Sequence, residues 1–102
     1  MAKSVIWSEE ALSDIECIAE YISRDSAYYA QQVVDRMIST GDATKLYPES
    51  GRIVPELAEA NIREKFIYSY RLIYEIEDKT INILAIIHGK RLLESDERFS
   101  HN

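Results

Sequence analysis

The sequence predicts an α+β fold with the order β-α-α-β-β-β, an antiparallel sheet packed on an N-terminal helical hairpin, and a short C-terminal helix or tail. Three observations carry this expectation. Apolar residues recur at helical spacing from Leu12 to Gly41, and the period then changes to strand-like alternation from Ile62 onward. The two helical segments are separated by only a few residues, which favours an antiparallel hairpin of helices. A single short β-branched and aromatic segment, "KSVIW", stands ahead of them.

Each element has its own local reason. Residues 3–7 read as a strand ending at Ser8, a good helix N-cap. Glu9 and Glu10 follow in the first turn, where carboxylates favour the helix dipole, and Leu12, Ile15, Ile18, Ala19 and Ile22 mark one face of a helix from about Ser8 to Ser23. Asp25 or Ser26 caps the second helix, with Ala30, Val33, Val34, Met37 and Gly41 along its apolar face. Gly41 signals either a close approach by a neighbouring element or a kink. Pro48 and Gly51 end the helical half, and "YPESGRIVPELAEANIR" reads as a loop or partly ordered connection. Ile62, Glu64 and Phe66 then alternate with Arg63, Lys65 and Ile67, and Tyr70, Leu72, Tyr74 and Ile76 with Arg71, Ile73, Glu75 and Glu77. "INILAIIHG" is apolar nearly throughout, as a central strand covered on both faces would be, and it joins the preceding strand at Asp78-Lys79-Thr80. After Gly89, "KRLLESDERFSHN" reads as a polar helix or tail, with His101 in a frayed terminus.

The 102 residues suffice for one domain, 1–102, able to bury a core without disulfide or metal staples. The chain is acidic, with 18 Asp and Glu against 12 Lys and Arg, a net charge of -6. Residues 1–51 hold nine of the acids and four bases, a balance of -5, whereas residues 52–102 hold nine acids and eight bases, a balance of -1. This argues against a general nucleic-acid coat protein, which must neutralise many phosphates, and leaves room for a local cationic site in the second half. Cys17 has no second thiol to pair with, which fits a reducing compartment. No apolar run is long enough for a signal peptide or a membrane span, so a cytoplasmic location without membrane partners is expected.

The basic residues Arg52, Arg63, Lys65, Arg71, Lys90 and Arg91 form the first candidate site. Arg63 and Lys65 lie two apart on a strand and therefore on one face, and four or five cations are expected to converge there. Convergent cations stabilise a phosphoryl transition state, and His88 beside them could move the proton of a ribose hydroxyl. The bland alternative is a solvated strand face whose cations pair with Glu56, Glu64, Glu75 and Glu77. His88 is readable as a base, a phosphate donor or a polar cap at a strand end, and for a lone histidine with no nearby carboxylate motif the structural cap is the favoured role. Two distant histidines and one cysteine make no metal motif, and phosphate-loop, dinucleotide and nucleophile-elbow patterns are absent, so neither metal nor cofactor is expected. Tyrosine supplies seven of the ten aromatics, and Tyr28 and Tyr29, near the turn between the helices, are candidate contact residues.

The element order, together with "YPESGRIVPEL", "IREKFIYSYRLIYEI" and "ILAIIHGKR", resembles the RelE/ParE superfamily of toxins from bacterial type II toxin–antitoxin, or plasmid-stabilisation, modules. The resemblance spans the chain from the first strand to Arg91. It implies a small cytoplasmic toxin held inactive by a cognate antitoxin in a hetero-oligomer. RelE-like members cut messenger RNA on the ribosome. By position, the resemblance to them would give roles in catalysis to Arg63, Lys65, Arg71, His88 and Arg91. Where such a nuclease carries a tyrosine after "GKR", this chain reads "LLESDERF", whose carboxylates would repel a phosphate. ParE-like members instead poison DNA gyrase by binding, with no chemistry of their own, and "IRE", "YRLIY" and "HGKRL" look closer to that branch. Taken together, the basic set, the tyrosines and this resemblance make Arg52, Arg63, Lys65, Arg71, His88, Lys90, Arg91, Tyr28 and Tyr29 the expected target- or antitoxin-binding residues, and Arg71→Ala and Arg91→Ala are expected to reduce toxicity in a folded protein. A third reading is a non-toxic partner-binding domain that keeps only the fold.

Overall fold

The computed structural model describes residues 3–91, 93 and 96–99. The chain runs β1 (Ser4–Trp7), α1 (Glu9–Ser23), α2 (Ala27–Ala43), β2 (Arg52–Ile53), β3 (Ile62–Ile67), β4 (Tyr70–Ile76) and β5 (Thr80–His88). Single 3-10 turns lie at Pro48–Ser50 and Glu97–Phe99. Both long helices begin at serine caps: Ser8 Oγ accepts from the Ala11 N–H at 3.0 Å and Ser26 Oγ from the Tyr29 N–H at 3.0 Å. Each then buries one stripe, Ala11 and Ile15 in α1 and Ala30, Val33, Met37 and Gly41 in α2. At Gly41 a Cβ would overlap the Trp7 ring, so the glycine is there for close approach, and α2 runs on through it to Ala43.

The strands form one sheet in the order β1-β5-β4-β3-β2. Strands β2 to β5 pair antiparallel, as the alternation and short connections imply. β1 pairs with β5 in the parallel sense, Ser4 opposite Thr80 through Trp7 opposite Ile83, so the sheet is mixed. Alternation identifies a strand but carries no information on its direction beside a partner more than 70 residues away. The connection also contributes a strand that its loop-like composition concealed, the two-residue β2 on the outer edge of β3.

The sheet separates two cores. On the helical side Leu72, Tyr74, Ile81, Ile83 and Ile86 pack with Ala11, Ile15, Val33 and Met37. On the other side Val54, Ile73, Ala85 and Ile87 pack with Leu93 and Phe99. This double coverage is why β5 reads as a continuous apolar run. The residues after Gly89 read in the sequence as a short, polar helix or tail. Among the described ones, Glu97–Phe99 form a 3-10 turn, and Leu93 and Phe99 are buried against the sheet; the part of that expectation that falls on residues 92, 94, 95 and 100–102, His101 included, lies outside the described residues.

Candidate functional site

The pleat of the sheet decides which basic residues can meet. Arg63 lies opposite Tyr74 and Lys65 opposite Leu72, so both belong to the helical face, whereas Arg52, Glu64, Phe66 and Arg71 share the opposite face. His88 stands opposite Tyr70, beside the helices. The expected convergence of four or five cations does not occur. Arg71 is odd-numbered like Arg63 and Lys65, but the hairpin places it across from Phe66, and the register reverses its face.

Arg71 is buried at the centre of an ion network. Its Nη1 and Nη2 both donate to the Glu56 carboxylate at 2.8 Å, a bidentate pair, while Nε and Nη2 reach Glu64 Oε1 at 2.7 and 2.6 Å. The Glu64 side chain is 0% exposed and also accepts from Arg52, whose guanidinium lies over the Phe66 ring, 5.1 Å from its centroid. The hydrogen bonds from Arg71 hold the Glu56 carboxyl down at about 2, and the same bonds push the guanidinium further up. A buried cation surrounded by two carboxylates is satisfied by its own chain, leaving little field for a phosphate. Arg63 is likewise structural: its guanidinium donates to the carbonyls of Ala60, Glu49 and Gly51 at 2.8, 3.1 and 3.1 Å, pinning both ends of the connection. Tyr74 fastens the same segment, donating to the Pro48 carbonyl at 2.6 Å and accepting from the Gly51 N–H at 3.1 Å, and its burial pushes the phenol up.

At the end of β5, His88 Nδ1 accepts from the Lys90 N–H at 3.2 Å, and the ring meets Tyr70 edge-on with centroids 5.7 Å apart. His88 is therefore a turn cap on an aromatic neighbour, and its carbonyl accepts from the Arg91 N–H at 3.0 Å. Burial, then the nearby Tyr21 and Tyr29, push the Tyr70 phenol up. The Arg91 side chain is 49% exposed and lies 3.6 Å from Asp96. It lines a cavity of about 320 Å³ with Asp14, Cys17, Tyr21 and His88, alongside the part of β5 that β1 does not cover. That open stretch of backbone is already occupied: Asp14 accepts from the Ile86 N–H at 2.9 Å, and Ser8 Oγ and Arg98 both donate to the Leu84 carbonyl at 3.3 Å. Arg98 also pairs with Asp14 and Asp96, and holds the Asp96 carboxyl below its usual range.

Of the expected contact tyrosines, Tyr28 is exposed and hydrogen-bonded to Gln32, while Tyr29 meets Tyr68 edge-to-face at 6.2 Å. The sequence reading overlooked Tyr68 and Phe66 at the tip of the β3–β4 hairpin, both more than half exposed. The available signal was the two-residue gap "YS" between paired Ile67 and Tyr70, which makes Tyr68 a turn residue rather than a strand residue. Among the described residues no cluster of His, Cys, Asp and Glu is arranged to hold a metal, and no helix is long and apolar enough to cross a membrane.

A sheet of this order, backed by a helical hairpin and carrying a clamped arginine on its outer face, defines a small α+β domain with no recognisable metal or nucleophile centre among the described residues. Residues 5–93 match the family described as the ParE toxin of the type II toxin–antitoxin system, parDE, and the chain belongs to that family. It is 35% identical over 89 residues to Toxin RelE2 of Caulobacter vibrioides, covering 86% of this chain and 97% of that relative. Among solved structures it resembles that of the chromosomal ParDE TA system from P. aeruginosa, with a TM-score of 0.73 at 17% identity, covering 87% of this chain and 98% of the other. The YoeB dimer from Staphylococcus aureus is a further structural likeness, with a TM-score of 0.58 at 14% identity, covering 86% and 98% of the two chains. The protein is thus a toxin of the type II toxin–antitoxin class, and the family implies a cognate antitoxin partner.

Proposed function

We propose that this toxin arrests growth in the ParE manner, by binding and poisoning DNA gyrase rather than by cutting RNA. The observation that carries the reading is the internal neutralisation of Arg71. In a ribonuclease of the RelE type this position would supply positive charge to a phosphoryl transition state, and here two carboxylates from the same chain already take its donors. Arg63 spends its guanidinium on three backbone carbonyls. A protein target asks for a complementary surface and no such catalytic field.

The test is induction of the protein alone in a bacterial host, with DNA and protein synthesis followed by separate pulse labels. DNA synthesis falling first, with filamentation, is the expected result, and inhibition of purified gyrase should follow. Translation stopping first would overturn the gyrase reading in favour of ribosome-bound messenger RNA as the target.

A further inference from the structure

Two shallow depressions flank Phe66 at the tip of the β3–β4 hairpin. One, of about 340 Å³, is lined by Phe66, Tyr68, Ser69, His88, Gly89 and Lys90, and the other, of about 420 Å³, by Arg36, Ser39, Thr40, Ala43, Lys65 and Phe66. Among the described residues no carboxylate lines either one, in a chain whose acids outnumber its bases 18 to 12. The described arginines of the sheet and the C-terminal segment are taken up by carboxylates or carbonyls of the chain itself, whereas Arg36, Lys65 and Lys90, like Lys45 and Lys79 away from this tip, make no ion pair among the described residues, and these three line the two depressions.

The backbone adds a second observation. Tyr68 sits at φ 54°, in the left-handed region that glycine occupies at least cost, yet a large aromatic is placed there and held by its edge-to-face contact with Tyr29. Phe66 is 57% exposed and Tyr68 56% exposed, so the strained turn presents apolar area to solvent instead of burying it. The strand edge beside them is open as well, because β2 pairs only with Arg63 and Glu64 and stops short of Lys65.

We infer that this hairpin tip is the surface on which the toxin docks its target, and that the complementary patch is an acidic protein surface with an apolar cleft for Phe66 and Tyr68. The inference rests on the reading of the toxin as a protein binder given above. Charge complementarity chooses the partner: three cations without an ion pair among the described residues surround exposed aromatics and match carboxylates at the rim of an apolar anchor site. A single-stranded nucleic acid would also stack on the rings, but a net charge of -6 opposes a chain of phosphates beyond the few contacts this tip offers.

The experiment compares the wild type with two double variants, Phe66→Ser with Tyr68→Asn and Lys65→Glu with Lys90→Glu, in growth arrest and in binding to purified DNA gyrase. Asparagine tolerates the left-handed backbone, and all four positions carry exposed or half-exposed side chains, so melting temperatures within about 4 °C of wild type are expected. The expected result is at least a roughly tenfold loss of both arrest and gyrase binding in each variant, with wild-type binding weakened by salt. Arrest at the wild-type level in folded variants overturns the surface, whatever the target. Wild-type arrest without gyrase binding, but lost in the variants, overturns the gyrase reading and supports the surface. Binding of the wild type to a fluorescent oligo(U) or oligo(dT), lost together with arrest in the variants, overturns the acidic-protein assignment in favour of a nucleic acid.

Discussion

Arg71 shows how far one residue's role depends on its face of the sheet. By sequence it belongs to a scattered set of basic residues and reads as a target contact, but its 5% exposed side chain supports the sheet from beneath. Arg71→Ala would leave the fully buried Glu64 carboxylate with only Arg52, at a cost of about 3–5 kcal/mol, a large part of the stability of a domain this size. Loss of toxicity in that variant should therefore be accompanied by a lower denaturation midpoint, in contrast to the folded, inactive protein expected from the sequence. Arg71→Lys should not rescue it, because an ammonium cannot serve both carboxylates with the same planar fork. A wild-type midpoint for Arg71→Ala in urea would refute the clamp.

The pH response follows from the same network. The Glu56 carboxyl sits at about 2 in the folded chain against an ordinary value of 4.5, so its pairing with Arg71 stabilises the fold fully above pH about 4.5. That contribution is lost as pH falls through 2. Glu56→Gln should lower stability at pH 7 by an amount on the order of 2 kcal/mol, and the two melting curves should converge as the pH approaches 2. A constant gap between them down to pH 2 would show that the carboxylate's charge is not what stabilises. At Gly41 the prediction concerns volume alone: Gly41→Ala must displace the Trp7 ring or the helix, costing about 1–3 kcal/mol, visible as a lower Tm and a changed Trp fluorescence spectrum.

At the scale of elements, the connection from Tyr47 to Asn61 and the C-terminal segment act as a cover for the outer face of the sheet. In the sequence the first reads as a loop or partly ordered connection and the second as a polar helix or tail, with nothing to mark either as a cover. The connection is rich in turn residues, and the terminal segment is mostly polar, yet Val54, Leu93 and Phe99 each put one apolar side chain into the second core. Single anchors in irregular backbone leave no periodicity to detect. Leu93 is 0% exposed, so Leu93→Ala should cost about 2–5 kcal/mol, measured by denaturant unfolding. A loss under 1 kcal/mol would mean that the segment does not close this core.

For the molecule as a whole, both cores are built on β4 and β5, which send alternate side chains to one and the other, and neither closes without these strands. The fold should therefore unfold in one cooperative step. Trp7, the single tryptophan, reports on the helical side, and far-UV circular dichroism reports on the entire backbone, so the two urea transitions should coincide. Two separated midpoints would show the cores to be independent.

The local elements were determined by the sequence alone, because each is encoded within a few residues: serine caps at Ser8 and Ser26, apolar stripes at helical spacing, and alternation through β3 and β4. The near-continuous apolar run of β5 likewise marked it as the doubly covered strand. The direction of β1, the cover over the outer face and the fate of the basic residues were decided only by tertiary structure. Arg63, Lys65 and Arg71 are close in sequence and similar in chemistry, but register sends Arg71 to one face and the other two to the opposite one. Pairing with the neighbouring strand and the connection then brings Glu64 and Glu56 to Arg71, while Lys65 and Lys90 make no ion pair among the described residues. Charge can be counted along a chain, but whether a charge is paired depends on distances that only the folded backbone sets.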